Sequence, residues 1–234
     1  MPYIKKTVKA GNTMEVLKYH TYRHQSKGRH RGKGNGFTPL AMQKNNRRYS
    51  ENKLRWKINA NFKEGDMLIT LTYRKEDRPE NISAAKKELA KFLRKARALY
   101  KKSGSELKFI SVTEQGSKGA VHHHLIINSI GIGANTLVRE WKHGHPGIKY
   151  LDNSGNYGRV AGYLIKELEN AKSSGYSCSR NLIEPEIHTE IIKRSDTWTD
   201  KPRALKGYQI TGEVETGVTA TGYMYQHYTM RKVE

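Results

Sequence analysis

The sequence predicts an α+β protein built on an antiparallel sheet, with flanking helices packed on one side. Three observations carry this reading. Short β-branched runs alternate with amphipathic stretches. A Gly-bounded turn at 116–119 separates two strand-like segments. A second helical pattern follows that hairpin, giving the order β-α-β-β-α.

Residues 42–62 mix polar side chains with Leu54, Trp56 and Ile58 and read as a lead-in helix. Met67 to Tyr73 (MLITLTY) is apolar and β-branched, a central strand. After Pro79, Ser83 stands where a helix N-cap falls, and Leu89, Phe92, Leu93, Ala96, Leu99 and Tyr100 follow at helical spacing until Gly104. Lys108 to Glu114 and Val121 to Asn128 are the hairpin strands. A short helix over 136–141 and a short strand over 147–151 come next. A helix from 157 to 172 then packs through Val160, Ala161, Leu164 and Leu168. Residues 186–192 and 220–230 read as further strands. The expected divisions are 1–62, a basic arm and lead-in helix; 63–175, the core; and 176–234, a β-rich extension of the same domain.

The chain has 234 residues, of which 43 are Lys or Arg and 22 Asp or Glu, a formal charge of +21. Such an excess favours nucleic acid or another polyanion as partner. Only 35% of residues are hydrophobic, which predicts a modest core. One cysteine, Cys178, excludes an internal disulfide and a thiolate metal cluster and suits a reducing compartment. No secretory core or membrane span is readable, so a cytoplasmic setting without membrane partners is expected. No phosphate-binding G-x-x-x-x-G-K-[ST] loop occurs, so a built-in motor is not expected. The segment 24–36 (HQSKGRHRGKGNG) alternates bases with glycine and has no aliphatic residue. It reads as a flexible arm whose Lys27, Arg29, Arg31 and Lys33 track phosphates, or as a solvated linker. Arg94 and Lys95 on the 83–102 helix add phosphate contacts.

Chemistry concentrates in two places. His122-His123-His124 opens a strand, and period-2 alternation puts His122 and His124 on one face and His123 on the other. Two imidazoles roughly 7 Å apart at Cα can converge on one ion. A tight turn would bring Glu114 beside them as third ligand, with the neutral Gln115 a weaker candidate. Mixed His and carboxylate ligation suits Mn²⁺ or Mg²⁺ working with phosphates; the alternative is a polar strand edge. His143-Gly144-His145-Pro146 repeats the spacing in a turn, where nothing rigid would hold the rings. Tyr163 and Lys166, at i and i+3, share a helix side. A phenol with a pKa near ~10 needs a cation nearby to act as a nucleophile; the alternative is one surface tyrosine among 14.

The succession MLITLTY, VTEQGSKGAVHHHLIIN and RVAGYLIKE, over roughly 67–167, resembles the three motifs of rolling-circle replication initiators of the HUH endonuclease superfamily, the small plasmid and phage type. The resemblance implies a ferredoxin- or RRM-like nickase core. His122 and His124 would be the metal pair, Glu114 the additional ligand, Tyr163 the nucleophile and Lys166 its assistant. His123 departs from the usual hydrophobic residue between the pair. Glu167 stands where two-tyrosine initiators place their second tyrosine. Tyr157 lies about 120° around the helix from Tyr163, so a single-tyrosine enzyme is expected. The implied activity is nicking and rejoining of single-stranded or hairpin origin DNA in a bacterial cell. It leaves a 5′-phosphotyrosine and a free 3′-OH for a host polymerase and helicase, with a homo-oligomer as one form. Rival readings are a transposase or relaxase of the same chemistry, a non-catalytic DNA-binding regulator, and an RNA-binding module.

Overall fold

The computed structural model describes residues 2–21, 40–116, 119–131, 133–170, 175–193, 199, 201–219 and 222–233. Lys27, Arg29, Arg31 and Lys33 of the expected arm lie outside the described residues. The chain divides into two compact units, one of residues 1–49 and 184–234, the other of residues 50–183.

The first unit is a five-stranded antiparallel sheet in the order β8-β1-β2-β10-β9. Its strands are β1 (Tyr3–Ala10), β2 (Thr13–His20), β8 (Glu186–Ile191), β9 (Tyr208–Val218) and β10 (Met224–Lys232). A two-residue turn, Gly11-Asn12, joins β1 to β2, and Gly11 takes φ 57, which costs a glycine nothing. Val16, Tyr228 and Met230 form its buried cluster, flanked by Met14, Tyr208, Ile210 and Val214. The sequence reading placed residues 1–62 as a basic arm and lead-in helix and 176–234 as a β-rich extension of the core domain. The fold instead makes residues 3–20 a hairpin that pairs with β8 and β10. Lys5 and Lys9 there meet Glu190 and Glu186 across the strand pair, so charge is compatible with a paired strand.

The boundary between the units falls within α1 (Leu40–Asn61). The second unit holds β3 (Met67–Leu71), α2 (Ile82–Lys102), β4 (Phe109–Gln115), β5 (Val121–Ile127), α3 (Ala134–Val138), β6 (Gly147–Tyr150), α4 (Gly158–Asn170) and β7 (Ser177–Cys178). Its sheet runs β6-β3-β5-β4-β7, with every neighbour antiparallel. The α+β class and the β-α-β-β-α order are as the sequence predicts. The helices, however, are not on one side. Ile69, Phe109, Leu125 and Ile127 pack with α2, whereas Ile110, Val112 and Ile126 pack with α4 and the end of α1. Successive strand residues face opposite ways, so a strand apolar on both sides must be covered on both.

Helix α2 starts at Asn81 rather than Ser83: the Asn81 side chain accepts the Ala84 N–H at 2.9 Å, satisfying one free donor of the first turn. Lys101 and Lys102 in its last turn oppose the helix dipole. Buried Asp66 accepts from the backbone N–H of Lys63 at 2.9 Å and of Ser129 at 2.6 Å, locking the entry of β3 to the exit of β5. Among the described residues no helix is long and apolar enough to cross a membrane.

Candidate active site

The hairpin register builds the site. Glu114 on β4 lies directly across from His122 on β5, and Val112 across from His124. A single oxygen, Oε1 of Glu114, accepts from Nδ1 of His122 at 3.2 Å and from Nε2 of His124 at 3.1 Å. Glu114 is 8% exposed and His124 2%. Burial disfavours the Glu114 carboxylate, but hydrogen bonds with Glu167, His124 and His122 outweigh it and hold the group below its ordinary pKa. Burial also pushes His124 down, against the pull of Glu114, so its imidazole is neutral at neutral pH and has a lone pair to offer.

His123 faces the other way. Its ring is fully buried, with Nε2 2.8 Å from the Tyr73 hydroxyl and Nδ1 2.9 Å from Thr113 Oγ1. Burial, with smaller contributions from His124 and His122, pushes it down to about 3. A neutral ring with both nitrogens engaged across the sheet is a strand fastener, and the face it occupies belongs to α2.

Tyr163 comes from α4, which is held to the sheet by Ala161, Leu164, Ile165 and Leu168 against Ile110, Val112 and Ile126. That packing sets the phenol oxygen 3.2 Å from Nδ1 of His124 and 3.5 Å from its Nε2, the two rings edge to face at 5.2 Å. The phenol is 40% exposed, open to a substrate. Its pKa is raised by burial, then by the negative charges of Glu167 and Glu114. Thr70 of β3 completes the floor, its Oγ1 3.3 Å from Nδ1 of His124.

Two side chains on α4 exchange expectations. Lys166 is exposed, with no side-chain partner among the described residues. Glu167, one turn from Tyr163, is the group that bonds to Glu114. Two carboxyls can do so only by sharing a proton. Its i+4 spacing from Tyr163 was the available signal. Of the basic residues on α2, Arg94 is exposed while Lys95 is paired with Glu140 at 3.2 Å. The second His-x-His does not converge: His143 engages Glu88 at 3.1 Å and His145 is exposed.

Among the described residues, no group of three or more His, Cys, Asp or Glu side chains has the open geometry of a ready metal site. His122, His124 and Glu114 are bonded to one another instead. Their donor set, two imidazoles and one carboxylate, nonetheless suits a divalent ion. Ligands about 2.1 Å from one ion and about 95–100° apart are separated by about 3.1–3.2 Å, the spacing of these N···O pairs.

No curated protein matches the chain, and neither does any solved structure. Residues 66–168 match the family model described as replication-associated protein ORF2/G2P. That span runs from Asp66 through the histidine pair to the helix of Tyr163, and it is consistent with the rolling-circle initiators that the motifs resemble. The segment of this chain that carries His122, His124 and Tyr163 is thus similar to the replication-associated protein ORF2/G2P family.

Proposed function

We propose that the protein initiates replication by nicking and rejoining single-stranded origin DNA with Tyr163 as nucleophile. One observation carries the reading: a partly exposed phenol oxygen 3.2 Å from a buried, neutral imidazole that shares a carboxylate oxygen with a second imidazole. His122, His124 and Glu114 would hold Mn²⁺ or Mg²⁺, whose charge would polarise the scissile phosphate and offset the part of the raised Tyr163 pKa that, after burial, comes from Glu167 and Glu114.

The phenol oxygen attacks phosphorus while the bond from phosphorus to the 3′ oxygen breaks. The phenol gives up its proton, which in the free protein is directed at Nδ1 of His124, and the leaving oxygen takes one up. No net charge is created, and the phosphotyrosine conserves the bond energy, so the reverse step needs no nucleotide. Lys166, exposed three residues on, would neutralise the phosphate. A host helicase and polymerase would use the freed 3′-OH. The +21 charge supports strong, salt-sensitive binding of the strand.

The test is incubation with Mn²⁺ and a 5′-labelled or 3′-labelled origin strand. The expected result is a covalent adduct on the fragment 3′ of the nick, absent with Tyr163→Phe and with EDTA. An undiminished adduct from Tyr163→Phe would assign the nucleophile elsewhere.

A further inference from the structure

We infer that a groove on the α2 face of the second unit holds the phosphodiester backbone of the DNA strand away from the point of cutting. The inference rests on the reading of DNA as substrate. The groove, of about 750 Å³, lies between the C-terminal half of α2 and the segment around β7. It is lined by three cations, Arg97, Lys101 and Arg180. All three are exposed, and none is ion-paired among the described residues.

The groove is built rather than incidental. Arg97 and Lys101 are one helical turn apart, on the same side of α2. The Arg97 guanidinium carbon sits 5.5 Å over the Phe109 ring, which fixes its plane. Arg180 follows Ser179, whose backbone N–H donates to Phe109 O at 3.0 Å and whose Oγ accepts from Phe109 N at 3.1 Å. The far wall is thereby tied to β4. The lining carboxylate, Glu106, accepts from Nδ2 of Asn181 at 3.1 Å. That same amide nitrogen donates to Leu107 O at 3.3 Å, which leaves Oδ1 of Asn181 buried with no hydrogen-bond partner. Three unpaired cations along one groove suit successive phosphates of a strand, whereas inorganic phosphate offers only one.

The position separates anchoring from chemistry. Phe109 and Glu114 are five residues apart on β4, about 17 Å at strand rise, and their side chains face opposite sides of the sheet. A strand held here would be gripped several nucleotides from Tyr163. Removing the grip should weaken binding and leave the bound complex able to react.

The experiment measures binding of a fluorescent 30-mer DNA strand to the full chain in EDTA across a salt series. It compares wild type, the triple variant Arg97→Ala, Lys101→Ala, Arg180→Ala, and the milder pair Lys101→Gln, Arg180→Gln, which keeps Arg97 on Phe109. A control triple variant, Lys75→Ala, Lys86→Ala, Lys87→Ala, removes the same charge from exposed positions outside the groove. The expected slope of log K against log salt drops by about 2 in the groove triple variant and by about 1.4 in the milder pair, at about 0.7 per phosphate. Adduct formation at saturating DNA should stay within about twofold of wild type. Equal slopes in groove and control variants would overturn the inference, as would full competition by millimolar inorganic phosphate at constant ionic strength. The Tyr163→Phe adduct assay is read independently, so failure of the nicking mechanism leaves a different signature from failure of the groove.

Discussion

The Tyr73 hydroxyl and Nε2 of His123 stand 2.8 Å apart, joining the second residue after β3 to the middle histidine of β5. Thr113 holds the other nitrogen of the same ring at 2.9 Å, so three strands are pinned at the level of the His122 and His124 pair. Tyr73→Phe leaves a buried ring nitrogen unpaired and should cost about 1–3 kcal/mol of stability. His123→Leu strips the partner from both the Tyr73 and the Thr113 hydroxyls and should cost more than Tyr73→Phe. Urea unfolding followed by circular dichroism checks the order. A smaller loss from His123→Leu would mean that the two hydroxyls find other partners.

Glu167 supports Glu114 from α4, and its removal should be felt by a bound ion. Glu167→Gln should weaken Mn²⁺ binding about 10-fold, in the range typical for groups that support a ligand. Glu114→Gln should weaken it further, because it removes the negative charge that faces both imidazoles. Titration calorimetry of EDTA-stripped protein, without DNA, measures both.

Gly144 is held by contact rather than by conformation. A Cβ there would lie 2.3 Å from the Thr72 carbonyl oxygen and 2.8 Å from its carbon, both backbone atoms. The same carbonyl accepts the Trp141 indole N–H at 2.7 Å. Gly144→Ala should therefore displace the loop and cost about 1–3 kcal/mol, read as a lower urea midpoint and a shifted Trp141 emission.

The first unit carries a pH-dependent contact. His227 lies 2.6 Å from Glu15 and 3.4 Å from Glu215. Burial opposes its charge, but the hydrogen bonds and charges of Glu15 and then Glu215 raise its pKa overall. A histidine raised on folding contributes full stability below its unfolded value of about 6.5 and loses that contribution as pH climbs through the folded value. Hydrogen-exchange protection of β2 and β10, corrected for intrinsic rates, should fall from pH 6 to pH 8. His227→Gln should flatten the profile, and an unchanged slope would show that another group sets it.

What the sequence revealed was what neighbouring residues dictate. Alternation in 121–127 separated His123 from the pair flanking it, and helical spacing gave α2 and α4 to within a few residues. The partnership of Glu114 with His122 followed from a short turn, since hairpin register is local. Residues 3–20 escaped because Tyr3, Ile4, Val8 and Ala10 do not alternate cleanly, and their partners on β8 and β10 lie some 180–220 positions away. The Gly11-Asn12 pair was the one local mark of that hairpin. The tie of Glu167 to Glu114 was hidden for a similar reason, because it depends on how α4 settles on the sheet. Arg97 and Arg180 share a groove only once β7 joins β4, a pairing of two residues that no pattern announces.

The interleaved order of the two units bears on how the molecule is made. Strand β2 is translated before all of 50–183, and its neighbour β10 after it. The second unit can thus fold vectorially while the sheet of the first still lacks β8, β9 and β10. A stalled or prematurely terminated chain would carry a complete His122–Tyr163 centre together with unpaired β2 backbone, an open edge of the kind that recruits chaperones or aggregates.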